Sequence, residues 1–301
     1  MNWFKRIFLF LALNLLVITT VGLILNIFNV QPYISAYGLN YKSLLVFCFI
    51  WGMVGSLISL MLSRKMAKWM LRVKLVSKQD SLYLMVARLA KNANIPVPEV
   101  GIFHAKSPNA FATGPTRKRS LVAVSDALLD KMPPDQVEAV IGHELAHIKN
   151  GDMVTMTLLQ GVVNAFVMFF ARIAAFALNA ALSRGSSRRS NHFGWTYYLT
   201  VMLFEVFFMA LGSLIICAYS RFREYRADAG GAQFAGKGKM IAALQSLERM
   251  QIEEKEQKLA AFMIASPKKT SLLRQLYSTH PPLEKRIAKL QELRSYEFVA
   301  E

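Results

Sequence analysis

His143-Glu144-Leu145-Ala146-His147 sets two imidazoles four residues apart around a carboxylate. On a helix, positions i and i+4 share a face, so both rings can close on one divalent metal ion. Glu144 is rotated off the ligand direction yet stays near a water held by that metal. Zinc lowers the pKa of bound water to about 7, and a carboxylate can then take its proton for attack on an amide carbonyl. Five-residue patterns also arise by chance, and the competing reading is a surface helix with ordinary polar residues.

A third protein ligand separates the two readings. The metzincin pattern needs Gly at 150 and His at 153, where this chain has Asn150 and Met153. The remaining histidines are His104, His192 and His280. His192 falls in a loop expected on the far membrane side, and His104 sits in a β-like segment with a non-metal role expected. Glu224 is the better candidate. In Glu224-Tyr225-Arg226-Ala227-Asp228, Glu224 and Asp228 share one helix face. Glu224 can ligate while Asp228 accepts a hydrogen bond from a ligand imidazole and fixes its tautomer. The competing reading is a juxtamembrane helix whose Arg221, Arg223 and Arg226 make surface pairs.

The elements that must carry these residues are dominated by apolar blocks. Hydrophobic residues make up 54% of the 301 and charged residues only 18%, outside the usual soluble range of about 45–50% and about 25%. A helix of about 20 apolar residues crosses the hydrocarbon core. Residues 7–28 and 43–62 meet that test, and 153–182 and 195–219 meet it with Arg172 and Glu205 as interruptions. The first block is longer than a signal peptide's apolar region and is expected to be an uncleaved anchor. Arg172 and Glu205 fall at similar depths in two antiparallel helices, so an ion pair between them is expected; the alternative is snorkelling or a wet cavity. Cys48 and Cys217 each lie inside an apolar block and read as small buried hydrophobes.

The net charge of +17 suggests nucleic acid until its distribution is mapped. Lys5 and Arg6 precede the first block, and Arg64, Lys65, Lys68, Arg72, Lys74 and Lys78 follow the second, while 29–41 carries no charge. That is the positive-inside pattern of a hairpin with both ends in the cytoplasm, its cations facing anionic headgroups. No nucleic-acid partner is expected. A second hairpin then returns Glu224 to the side that holds the H-E-x-x-H helix, near the bilayer surface. Arg184, Arg188 and Arg189 in the loop 183–194 run against this topology, and the alternative is a second hairpin buried partly in the catalytic domain.

The soluble stretches supply the rest of the frame. SLYLMVARLAKNANI is amphipathic at helical spacing; EVGIFHA, NAFATGP and SLVAVSDALL read as a β-rich run. A helix over roughly 135–149 carries GHELAHIKNGD, another spans 237–263, and STHPPLEKRIAKLQEL opens a last short helix with Pro.

These motifs together resemble the HtpX family of bacterial membrane metalloproteases, relatives of the CAAX prenyl proteases. The resemblance covers nearly the whole chain: the N-terminal hairpin, Asn109-Ala110-Phe111-Ala112-Thr113-Gly114, GHELAHIKNGD, the inserted hairpin, SRFREYRAD and Ser278-Thr279-His280-Pro281-Pro282. It implies one Zn²⁺ per chain on His143, His147 and Glu224, Glu144 as general base and Asp228 behind the ligands. It also suggests that residues 109–112 form an edge strand for substrate, with a surface hairpin as the alternative. His280 can donate to the oxyanion of the tetrahedral intermediate, or simply cap the last helix.

The implied fold is a mainly α integral membrane protein with four hydrophobic helices and a cytoplasmic α+β zincin-like metalloprotease domain assembled from two sequence pieces. Its segments are 1–74 (N-terminal hairpin), 75–152 (first catalytic part), 153–220 (inserted hairpin) and 221–301 (second catalytic part). The implied activity is zinc-dependent endoproteolysis of misfolded or damaged proteins in the bacterial inner membrane, a stress-response and quality-control role. Implied partners are membrane-protein substrates, the lipid bilayer and other membrane quality-control proteases. The alternatives are a CAAX-type protease with a dedicated substrate, a non-cleaving adaptor that binds clients, and a transporter. An intact Glu144 argues against the adaptor, and the lack of apparent inverted repeats against the transporter.

Overall fold

The computed structural model describes residues 40–182, 195–262 and 275–293. The expected first span, 7–28, and the loop 183–194 with His192 lie outside them. In chain order the elements are α1 (Tyr41–Met70), β1 (Lys74–Leu75), α2 (Ser81–Asn92), β2 (Glu99–Phe103), β3 (Ala110–Thr116) and β4 (Arg119–Ser125). They continue as α3 (Asp126–Lys131), α4 (Pro134–Asn150), α5 (Asp152–Leu182), α6 (Trp195–Ala235), α7 (Lys237–Phe262) and α8 (Leu283–Glu292). Among the described residues, three helices, α1, α5 and α6, are long and apolar enough to cross a membrane. The described residues divide into two compact units, one within 1–59 and 155–216 and the other within 60–154 and 217–301.

In the first unit small residues let helices approach closely. A Cβ on Gly52 of α1 would stand 2.8 Å from the Gly161 carbonyl oxygen and from the Ala165 nitrogen of α5. In a solvent as apolar as the side chains, such tight van der Waals contact is what holds helices together. Cys48 and Phe169 are fully buried beside it, and Cys48 is a free thiol. Arg172 and Glu205 meet as the sequence suggests: Nη1 lies 3.0 Å from Oε1 and also donates to the Met168 carbonyl at 2.9 Å. Each charge thereby gains a partner where an isolated one is costly.

The second unit is built on a four-stranded sheet of order β1-β2-β4-β3. β1 pairs antiparallel with β2, β2 parallel with β4, and β3 antiparallel with β4. β4 is buried from Ser120 to Ser125, as a central strand covered on both faces must be. β3 is an edge strand, with Ala110 opposite Val124. α2 begins where the Asp80 carboxylate accepts from Leu82 N, and it buries the stripe Leu82, Val86, Leu89 and Ala90. Those residues join Ile141 and Leu145 of α4, Met240 and Leu244 of α7 and Leu290 of α8 in one core.

Two features of this unit decide the site. α4 enters through Pro133-Pro134, where a first-turn proline loses no hydrogen bond, and stops at Gly151, whose φ of +66° is a left-handed cap. α6 runs unbroken for 41 residues, so the charged stretch after the fourth apolar block continues the same helix. No proline interrupts it, and it ends at Gly236, φ +109°.

Candidate metal centre

α4 brings His143 and His147 onto one buried face, as the spacing demands. α6 meets that face through glycines. A Cβ on Gly231 would sit 2.9 Å from the His143 nitrogen, and one on Gly230 would sit 2.6 Å from the Ala146 Cβ. Only hydrogen at these positions allows the two backbones to lie so close. Two turns upstream of that crossing, α6 delivers Glu224.

The three residues close a triangle in which each imidazole faces its own oxygen of Glu224. His143 Nε2 and His147 Nε2 are 3.2 Å apart, and they stand 3.5 and 3.4 Å from Oε2 and Oε1 of Glu224. Tetrahedral zinc with ligands at about 2.0–2.1 Å requires donor separations of about 3.3–3.4 Å. All three residues are buried, and Glu224 Oε1 has no hydrogen-bond partner among the described residues. A buried carboxylate oxygen without a donor is what a cation satisfies. The residues fit a metal ion.

Each ligand is held from behind. His143 Nδ1 donates to Asp228 Oδ1 at 2.9 Å, and His147 Nδ1 to Asp152 Oδ2 at 2.7 Å. Both bonds leave Nε2 facing the triangle. Arg286 of α8 grips Asp228 with two prongs, Nε to Oδ2 at 2.7 Å and Nη2 to Oδ1 at 2.5 Å, and places Nη1 3.6 Å from Glu224 Oε2. His280 donates from Nδ1 to Glu224 Oε2 at 2.7 Å. Arg221, far from pairing on the surface, donates to the Leu276 and Ser278 carbonyls at 2.7 Å each and so pins the segment before His280 to α6.

The electrostatics follow from these contacts. Burial alone pushes the His143 imidazole down, but its bonds to Asp228 and Glu224 outweigh that and raise it to about 9. Burial likewise opposes a charge on His147, and Asp152 with Glu224 still lifts it. Burial disfavours the Glu224 carboxylate, yet the neighbouring nitrogens of His143, His147 and His280 hold it far below the usual range. Asp228 is depressed in the same way, with Arg286 the main opponent of burial. The centre is a pocket of fixed negative charge facing two imidazoles.

Glu144 is half-buried and lines a cleft of about 970 Å³ together with His143, Glu224, Asn109, Ala110 and His280. Of the four residues expected to meet substrate, Asn109 and Ala110 border this cleft. Phe111 packs on Phe103 with ring centroids 5.4 Å apart, and Ala112 lies farther along β3 opposite Val122. His104 is outside the centre, where its Nδ1 pairs with Asp126.

Comparison with known proteins places this geometry. The model of peptidase family M48 matches residues 77–294. The chain belongs to peptidase family M48. It is 44% identical to Protease HtpX of Chromohalobacter salexigens over 294 residues, covering 95% of this chain and 98% of that one. It is 46% identical to the Protease HtpX homolog of Bacillus licheniformis over 303 residues, 95% and 99% of the two chains. The fold resembles the crystal structure of S. mikatae Ste24p, with TM-score 0.62 and 18% identity, over 91% of this chain and 65% of that protein's length. This M48 member is a membrane-associated metalloprotease, and the family implies a metal, typically zinc, for which His143, His147 and Glu224 supply the donors.

Asp152 and Arg286 escape a reading of the sequence, and Arg221 enters it only as a candidate for surface pairs. Asp152 follows the helix-ending Gly151 and so carried the plainest signal, a carboxylate five residues beyond His147. Arg286 had a weaker one, since it shares the buried face of α8 with Ile287 and Leu290.

Proposed function

We propose that this chain is a zinc-dependent endopeptidase of the bacterial cytoplasmic membrane that cuts misfolded or damaged membrane proteins on the cytoplasmic side. The donor triangle of His143, His147 and Glu224, opening onto a cleft that Glu144 lines, is the observation that carries the reading. When bound, the metal supplies a Lewis acid for the substrate carbonyl and for the attacking water.

The chain's own residues do the remainder. Glu144 takes a proton from that water at its carboxylate and returns it to the departing amine. β3 offers its outer edge, which no described strand pairs, to an extended chain by main-chain bonds. Asn109 and Ala110, at the start of that edge, seat the chain beside the cleft. His280, held by Glu224 through Nδ1, turns its other nitrogen toward substrate and donates to the developing oxyanion. On this reading its partners are the membrane proteins it cuts, the bilayer, and other quality-control proteases that share those substrates.

The orientation and the substrate class are tested together. Purified protein is reconstituted in vesicles with a membrane protein whose cytoplasmic domain is either folded or destabilised by mutation. Cleavage confined to the destabilised form, and to molecules whose cytoplasmic face is reached by added chelator, is expected. Equal cleavage of both forms, or cleavage only from the opposite face, would overturn the reading.

A further inference from the structure

The cleft does not end at the metal centre. Past Pro108, Leu247 and Gln251, which it shares, it continues into a second groove of about 760 Å³. Three cationic side chains line this extension: Lys106 from the β2–β3 connection, Lys131 from the last turn of α3 and Arg249 from α7. They come from three separate elements, so no periodicity within one helix accounts for their convergence. All three residues are exposed, and Glu253 is the single carboxylate among the described residues lining the groove. Arg249 is steadied by a 3.0 Å bond from Nη2 to Ser246 Oγ.

We propose that this groove is a substrate subsite for acidic side chains, reading a short acidic run of the polypeptide near the bond to be cut. The proposal rests on the reading of the cleft as a peptide site and adds a preference to it. β3 begins at Ala110, and the connection that precedes it carries Lys106 and Pro108. A chain lying along β3 therefore reaches the groove at one end, past Asn109, and not at the scissile bond. Carboxylates there meet three cations, whereas a basic run is repelled, and such charge pairing sets which chains dwell in the cleft. Exposed ion pairs are individually weak, and two or three together give about tenfold.

The test uses full-length zinc-loaded protein in detergent and a quenched fluorescent peptide with one neutral core. The core is extended at either end by three Glu, three Gln or three Lys. The Glu-extended peptide at one end is expected to exceed the Gln form about tenfold in kcat/KM at low salt, and the gap to narrow as the Debye length shrinks at high salt. In the variant Lys106→Glu/Lys131→Glu/Arg249→Glu the Glu-to-Gln ratio falls to one or below, while Lys106→Arg/Lys131→Arg keeps it. Equal kcat/KM for all three extensions, or a preference that survives the triple reversal, would overturn the subsite. Should the core be cut by neither protein, the protease reading itself fails. The subsite is then judged by fluorescence anisotropy, where tighter binding of the Glu peptide that the reversal abolishes supports it and equal binding refutes it.

Discussion

Asp228 and Arg286, 58 residues apart, meet in a buried two-pronged ion pair, and the Asp228 oxygen that takes Nη2 also takes the His143 Nδ1 proton. The last described helix therefore steers His143, a donor of the candidate metal centre on α4, through a carboxylate on α6. Without Arg286, Asp228 is left charged in a site from which water is excluded. Arg286→Leu is expected to lower stability by about 3–5 kcal/mol, the usual result of removing one partner of a buried pair. Asp228→Asn/Arg286→Leu is expected to fall well short of the summed singles. Chemical unfolding in detergent checks this, and strict additivity would show that the pair does not act as a unit.

Asp152 does for His147 what Asp228 does for His143, from beyond the end of α4. Asp152→Asn removes the charged acceptor while keeping the shape. Zinc affinity, measured by competition with a chromogenic chelator, is expected to drop about 10–100-fold with helicity unchanged. An unaltered affinity would leave Asp152 as an ordinary first-turn carboxylate of α5.

His280 touches Glu224 and borders the cleft. His280→Ala is expected to lower kcat about 10²-fold while zinc content and KM stay near wild type, the pattern of a donor that acts in the transition state. Undiminished turnover would reduce the residue to a cap on α8.

Arg172 and Glu205 test a different part of the chain. Arg172→Gln and Glu205→Gln are each expected to destabilise the protein, with the double variant more stable than their sum implies by about 0.5–3 kcal/mol. Thermal unfolding in one detergent provides the comparison. A double variant no better than the sum would mean that the 3.0 Å contact carries no coupling.

How far the sequence alone reaches depends on whether a partner is local. His143, His147, Glu224 and Asp228 were legible because each pair lies four residues apart on one helix, where spacing fixes direction. A β-like segment over 109–114 was legible in its residues, and its place at a sheet edge only through the family resemblance. What brings α4 against α6 was not: Gly230-Gly231 reads as a weak point in a helix until its neighbour is known to be His143. Arg286 is harder to read, because a charge in an amphipathic helix usually lies on its solvated face. Phe111 lies on the edge strand as expected, but that its ring packs on Phe103 is decided only by the register with β4.

The central claim is that His143, His147 and Glu224 hold a catalytic metal while Glu144 moves the proton. It is tested by measuring zinc content and casein cleavage together for wild type and Glu144→Gln. One zinc per chain in both proteins, with cleavage reduced at least about 10²-fold in the variant, is the predicted result. Equal cleavage by the two proteins would contradict it.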